Sequence, residues 1–190
     1  VNPEVSVATT PAYDPCRPSS RLGTTRAVLG NGEWGTGNGE GIGVDGLHFH
    51  CLCEQGLDEL KKVLAGFEER FGEFLPKMKW VNFGGGHHIT RDDYDVDLLC
   101  RCIEHVRDTY DVQVYLEPGE AVALNAGVLV ATVLDVVQAD MPIAILDTSA
   151  ACHMPDVMEM PYRPNIIGSG EAGEKAFTCR LAGKSCLAGD

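Results

Sequence analysis

Lys79-Trp80-Val81-Asn82-Phe83-Gly84-Gly85-Gly86-His87-His88 is an apolar run that breaks abruptly into three glycines and two histidines. A short run of this kind, closed by turn residues, reads as a buried strand with a loop at its C-terminal end. The same arrangement occurs on either side. Val44–His50 ends in His48-Phe49-His50, and Val112–Leu116 ends in Glu117-Pro118-Gly119-Glu120. His50, Gly84 and Glu117 stand 34 and 33 residues apart, about the length of one strand, loop, helix and loop. The intervals carry helical patterns. From Gly56 to Gly72 the residues Leu57, Leu60, Leu64, Phe67 and Phe71 recur at three and four, with charges between them, which predicts an amphipathic helix. A second helix is predicted over Asp93–Tyr110, burying Tyr94, Leu98, Cys102, Ile103 and Val106. Helices that join successive strands are what a parallel sheet requires. The fold class expected is therefore α/β: consecutive units of a (β/α)8 barrel, with chemistry at the C-terminal strand ends where such barrels build their sites.

The flanks read differently. Residues 1–43 are rich in proline, glycine and small polar residues, with Asn31 to Gly41 the extreme, so loop is expected there, broken by one strand end at Ser20-Arg21-Leu22-Gly23. After Gly127, which suits a helix C-terminal glycine, the pattern becomes β-rich: Val128–Val137, Ile143–Leu146 and, more weakly, Thr178–Leu181. This predicts a partial barrel over residues 1–126 and part of an all-β domain over 127–190, with the boundary near Ala123–Gly127. A chain of 190 residues that opens on Val1 is short of the roughly 250 of a full barrel. The central portion of a longer protein is expected.

Composition narrows the function. A net charge of −13 argues against a nucleic-acid partner and favours a cationic small molecule or simple solubility. The eight cysteines do not have the spacing of a small disulfide scaffold, and Cys51/Cys53 and Cys100/Cys102 lie too close in sequence to bridge each other well. Reduced thiols and a cytoplasmic location are expected. No apolar run approaches the ~18 residues of a membrane span.

Each motif has a chemical and a bland reading. Gly84-Gly85-Gly86 can turn backbone N–H groups toward an anion, because glycine permits close approach and positive φ, but a triplet also makes a plain tight turn. His87 and His88, with His50, Cys51 and Cys53, invite a zinc reading. Adjacent histidines on an extended chain point apart, however, and no metal-ligand spacing is present, so no metal is expected. In Glu117-Pro118-Gly119 the proline forces Glu117 into extended geometry at a strand end. A carboxylate held there can fix a protonated ring nitrogen, or simply be solvated. Cys186, with Asp190 four residues on, can be a proton donor or a small buried hydrophobe.

The combination of Gly46-Leu47-His48-Phe49-His50, Asn82-Phe83-Gly84-Gly85-Gly86-His87-His88-Ile89-Thr90, Leu116-Glu117-Pro118-Gly119-Glu120-Ala121 and Cys186-Leu187-Ala188-Gly189-Asp190 resembles the fold-type-III pyridoxal-phosphate decarboxylases. The segments Asn2-Pro3-Glu4, Tyr13-Asp14-Pro15-Cys16 and His153-Met154-Pro155-Asp156 fit the same family. The resemblance implies pyridoxal 5′-phosphate as cofactor, with His50 stacked on its ring, Gly84, Gly85 and Gly86 at its phosphate and Glu117 on its pyridine nitrogen. It implies Cys186 as the proton donor after CO2 has left and Asp190 as a contact to the substrate amine, both serving the other subunit of a homodimer, with Asp147 facing the substrate's distal amine. The branch it favours acts on carboxynorspermidine and carboxyspermidine, in polyamine synthesis. Alternatives are a decarboxylase of diaminopimelate or ornithine, or a non-catalytic homologue that binds a partner. Two departures stand out. Glu120 occupies the place of an arginine that touches phosphate in relatives acting on basic amino acids, so that contact must come from elsewhere. The lysine that holds the cofactor covalently in this family lies upstream of any residue here, and none of Lys61, Lys62, Lys77, Lys79, Lys175 or Lys184 takes its place.

Overall fold

The structure, a computed structural model, describes residues 1–29, 43–171 and 173–190; the loop reading of Asn31 to Gly41 lies outside them. The chain divides into two compact units, Val1–Gly127 and Val128–Asp190.

In the first unit, β1 (Gly46–His48), β2 (Trp80–Asn82) and β3 (Gln113–Tyr115) form a parallel sheet in that order, with Leu47 beside Val81 and Val81 beside Val114. Each strand is shorter than the apolar run that predicted it. The ladder nevertheless continues beyond the strand ends, through Phe49 N–H to the Asn82 carbonyl (3.0 Å), Phe83 N–H to the Tyr115 carbonyl (3.0 Å) and Glu117 N–H to the Gly84 carbonyl (2.9 Å). It stops at Gly84, whose φ of +74° turns the chain out of the sheet.

Short α1 (Arg26–Leu29) precedes β1, while α2 (Leu57–Phe71) and α3 (Val96–Tyr110) join the strands. All five apolar positions predicted for α2 are buried, together with Val63. Helix α3 begins three residues later than predicted because Asp95 caps it, its carboxylate accepting Leu98 N–H at 2.8 Å. Tyr94 is therefore buried from the preceding turn. Between sheet and helices lies a core in which Phe49 and Phe67 have ring centroids 4.7 Å apart and Phe49 and Phe83 5.4 Å apart. Phe49 and Phe83 are the residues immediately before His50 and Gly84. Rings locked into a close-packed core thus hold the ends of β1 and β2 in place. Ser20 to Gly23 form no strand; Gly23 is a left-handed turn residue (φ +75°) packed against the Val1 carbonyl.

After β3, α4 (Gly119–Ala123) closes the first unit. The left-handed residue that follows its cap at Leu124 is Asn125 (φ 60°), and Gly127 does not serve as the C-terminal stop. Asparagine tolerates that conformation because its short side chain can bond locally.

The second unit pairs β4 (Val133–Gln138) antiparallel with β5 (Pro142–Leu146), and β5 parallel with β6 (Arg180–Ala182). Residues Val128–Val130 precede β4 without joining it, and α5 (Ala150–His153) and α6 (Asp156–Glu159) add two single-turn helices. The unit is thus a three-stranded sheet with two short helical turns beside it. Ala144 is its only buried apolar side chain among the described residues, and β4 is exposed along its length. No described helix is long and apolar enough to cross a membrane.

Candidate active site

The three strand ends of the first unit bring their predicted site residues together. Register is the cause: Asn82 aligns with His48 on one side and Tyr115 on the other, so His50, the glycine loop and Glu117 leave the sheet at one level. Gly85 N–H donates to His50 Nδ1 at 3.1 Å. This orients the imidazole and makes Nδ1 its acceptor nitrogen. Asn82 Nδ2 donates to Glu117 Oε1 at 2.9 Å, and Asn82 Oδ1 accepts Gly84 N–H at 2.8 Å. One asparagine therefore ties the carboxylate to the start of the glycine loop. The other oxygen of Glu117 lies 3.5 Å from His48 Nε2, an exposed pair worth little by itself.

The glycine loop is sterically required. A Cβ on Gly85 would meet the Glu117 carbonyl at 2.5 Å, and one on Gly86, whose φ is +78°, would meet the Leu52 carbonyl at 2.3 Å. The N–H groups of Gly86 and His87 have no partner among the described residues. Beyond the loop is a cavity of about 270 Å³ lined by His50, Gly85, Gly86, His88, Glu117 and Glu120. His87 also lines it and is buried, with Nδ1 3.3 Å from the Tyr94 hydroxyl. Burial lowers its pKa, opposed by the Phe83 and Gly84 carbonyls. The histidines that approach a metal-like arrangement are His48 and His50, whose ligand atoms lie with that of Glu117 within 4.8 Å of one another. The His87-His88 pair is not part of that group.

The second unit places the remaining predicted residues. Asp190 Oδ1 accepts Ala150 N–H at 2.7 Å, while Oδ2 accepts the Ser149 hydroxyl at 2.8 Å and Ser185 N–H at 3.2 Å. These donors, Ser185 and Ser149 first, hold its pKa down to about 2. Asp147 exchanges bonds with Thr132, accepting its N–H at 2.8 Å and donating its own to the Thr132 carbonyl at 3.0 Å. The Thr132 backbone bond lowers its pKa. Cys186 is an exposed free thiol within the turn that Asp190 anchors. All eight cysteines are free.

Sequence reasoning missed His48 and Asn82. His48 carried a signal, standing two residues before His50 in His48-Phe49-His50, and alternation puts such residues on one face. Asn82 carried none.

A carboxylate, an oriented imidazole and a glycine loop thus stand together at the C-terminal ends of adjacent parallel strands, the end at which α/β barrels build their sites. The family described as pyridoxal-dependent decarboxylase, C-terminal sheet domain, matches residues 11–190, and the chain belongs to it. Within it the chain is homologous to the carboxynorspermidine decarboxylases. It is 44% identical over 200 residues to the carboxynorspermidine/carboxyspermidine decarboxylase of Campylobacter jejuni, covering 100% of this chain and 50% of that protein. The carboxyaminopropylagmatine decarboxylase of a Synechocystis species is 40% identical, with 100% and 48% covered. The crystal structure of the C. jejuni carboxynorspermidine decarboxylase, complexed with norspermidine, superposes with a TM-score of 0.75 over 91% of this chain and 48% of that one, at 44% identity. The chain thus spans about half the length of the relatives it matches.

The residues present fit pyridoxal phosphate. The cradle is closed to any Cβ and keeps unpaired N–H groups for a phosphate, and the acid offered to a ring nitrogen is already oriented by Asn82.

Proposed function

We propose that this chain supplies the later barrel units (1–126) and part of the C-terminal β domain (127–190) of a cytoplasmic pyridoxal-phosphate-dependent decarboxylase acting on carboxynorspermidine or carboxyspermidine. The observation that carries the reading is the Asn82-held Glu117 carboxylate beside the Gly84–Gly86 cradle and His50. The cofactor, when bound, supplies an electron sink for the pair released as CO2 leaves. Glu117 holds a proton on the ring nitrogen and so keeps that sink strong. His50 packs on the ring, and the Gly84–Gly86 loop holds the phosphate, with the Gly86 and His87 N–H groups left to donate to it. Cys186 delivers a proton to the carbon that has lost CO2, acting in the partner's site of a homodimer. Asp147 and Asp190 receive the substrate's ammonium groups, and Asp190 Oδ1, with one donor bound, keeps a lone pair for this. The Synechocystis relative's name supports a second reading, in which the substrate is carboxyaminopropylagmatine.

The test is CO2 release by the protein at its full encoded length, loaded with pyridoxal phosphate and offered these carboxylated polyamines beside diaminopimelate and ornithine. Turnover should be confined to the polyamine carboxylates. Glu117→Gln should retain the cofactor and lower kcat by about tenfold or more. Release from diaminopimelate or ornithine alone would reassign the substrate, and unchanged turnover in Glu117→Gln would remove the acid's role.

A further inference from the structure

The thiol assigned above to proton delivery sits in a turn that one carboxylate closes. Asp190 N–H donates to the Leu187 carbonyl at 2.9 Å, Leu187 N–H to Ser185 Oγ at 3.3 Å, and Ser185 N–H to Asp190 Oδ2 at 3.2 Å. Cys186 lies inside that ring of bonds, and its exposed side chain takes part in none of them. The position of the thiol therefore follows from the turn, and the turn follows from the carboxylate.

The carboxylate is in turn held from outside. Ser149, only 6% exposed, donates its hydroxyl to Asp190 Oδ2 at 2.8 Å, and Ala150 N–H donates to Oδ1 at 2.7 Å. Gly183 leaves the space on the other side, where a Cβ would collide with both carboxylate oxygens. A serine immediately before a helix ordinarily caps it by accepting a backbone N–H. Ser149 makes no such bond to α5. Its own backbone is fixed separately, with His153 N–H and Cys152 N–H on its carbonyl at 2.9 and 3.2 Å. A buried hydroxyl on a fixed backbone, directed to a carboxylate distant in sequence, determines where that carboxylate sits.

We propose that Ser149 is a positioning residue for Cys186, acting through Asp190: its hydroxyl holds the carboxylate that closes the turn, and so fixes the place from which the thiol delivers its proton. This inference rests on the reading of Cys186 as the proton donor. Loss of CO2 leaves an electron pair shared between the substrate carbon and the cofactor's electron sink. A proton passed from the thiol to the substrate carbon gives the amine, returns the cofactor, and leaves a thiolate that water reprotonates. A proton taken from solvent onto the cofactor instead leaves the amino group there and, once water has added, releases an aldehyde. A donor held in place selects the first outcome.

The experiment uses the protein at its full encoded length, loaded with pyridoxal phosphate and offered the polyamine carboxylate that it turns over, with CO2, amine and aldehyde counted together. The parent should release amine and CO2 in equal amounts. Ser149→Ala should lower kcat about tenfold, as loss of a hydrogen bond to a charged group implies, and divert part of the turnover to aldehyde. Gly183→Ala, which crowds the same carboxylate while leaving Ser149 intact and asks only a flexible side chain to move, should divert product in the same way. Product formed per CO2 does not depend on how much of a variant is folded, so it separates positioning from a general loss of structure. In the cofactor-free protein, amide hydrogen exchange across residues 183–190 should become about tenfold faster in both variants. Amine yield per CO2 at the parent level in either variant, or unaltered exchange, overturns the proposal. If Cys186→Ala itself forms amine at the parent rate, the reading of Cys186 as the proton donor fails instead.

Discussion

At the residue scale, the site depends on positions where no side chain fits. Gly86 combines a left-handed φ of +78° with a Cβ position 2.3 Å from the Leu52 carbonyl. Gly86→Ala must pay for the left-handed backbone, ~1–2 kcal/mol, and for displacing Leu52, ~1–3 kcal/mol. A loss of about 2–5 kcal/mol in urea unfolding is expected, and a loss below about 1 kcal/mol would show that the loop relaxes freely. Such glycines are legible in a sequence because they interrupt an apolar run, and so were His50 and Glu117, each of which closes one. Asn82 was not legible. Its importance comes from the register that sets β2 beside β3 and brings its amide within 2.9 Å of Glu117 Oε1. Pairing register is a long-range property that one sequence does not display. The two adjacent histidines were visible as a pair, but only the structure separates the buried His87, with the Tyr94 hydroxyl at its Nδ1, from the part-buried His88.

At the element scale, helices α2 and α3 were predicted to within a few residues because a 3.6-residue pattern repeats over four turns of each. The strands were overextended at both ends, since β1 takes only Gly46–His48 of its run and β4 begins only at Val133, and the one-turn helices α5 and α6 are too short to show a period. Helix α5 has an unusual cap. Ser149 precedes it but makes no cap bond of its own, and the carboxylate of Asp190 takes Ala150 N–H instead. That bond joins the turn bearing Cys186 to a helix far away in sequence, and it needs the ionised acid. The Asp190 pKa is depressed to about 2 from about 3.9 in an unfolded chain. A depressed acid contributes its stability fully above the unfolded value and loses it as pH falls through the folded one. Asp190→Asn should therefore be less stable than the parent at pH 6. The gap should close between about pH 4 and pH 2. Urea midpoints measured across that range check it, and a gap independent of pH would mean that the carboxylate charge contributes nothing to the latch.

At the scale of the whole molecule, the proposed chemistry is divided between two units, with His50, Gly84–Gly86 and Glu117 in Val1–Gly127 and Asp147, Cys186 and Asp190 in Val128–Asp190. The second unit leaves Val133, Leu134, Val136 and Val137 exposed along both sides of β4. A homodimer that shares its sites makes a specific demand. If Cys186 serves the partner's site, a site fails when its own chain lacks the lysine that holds the cofactor or when its partner lacks the thiol. Mixing full-length Cys186→Ala with a full-length variant lacking that lysine then gives heterodimers in which one site draws the lysine and the thiol from different chains and is intact. Random exchange yields about half heterodimers, each with one working site of two, so activity should recover to about a quarter of the parent. Both parent variants are inactive alone under this scheme, which keeps the background low. Were Cys186 to act in its own chain, each heterodimer would hold two broken sites, and verified subunit exchange without recovery would establish that arrangement.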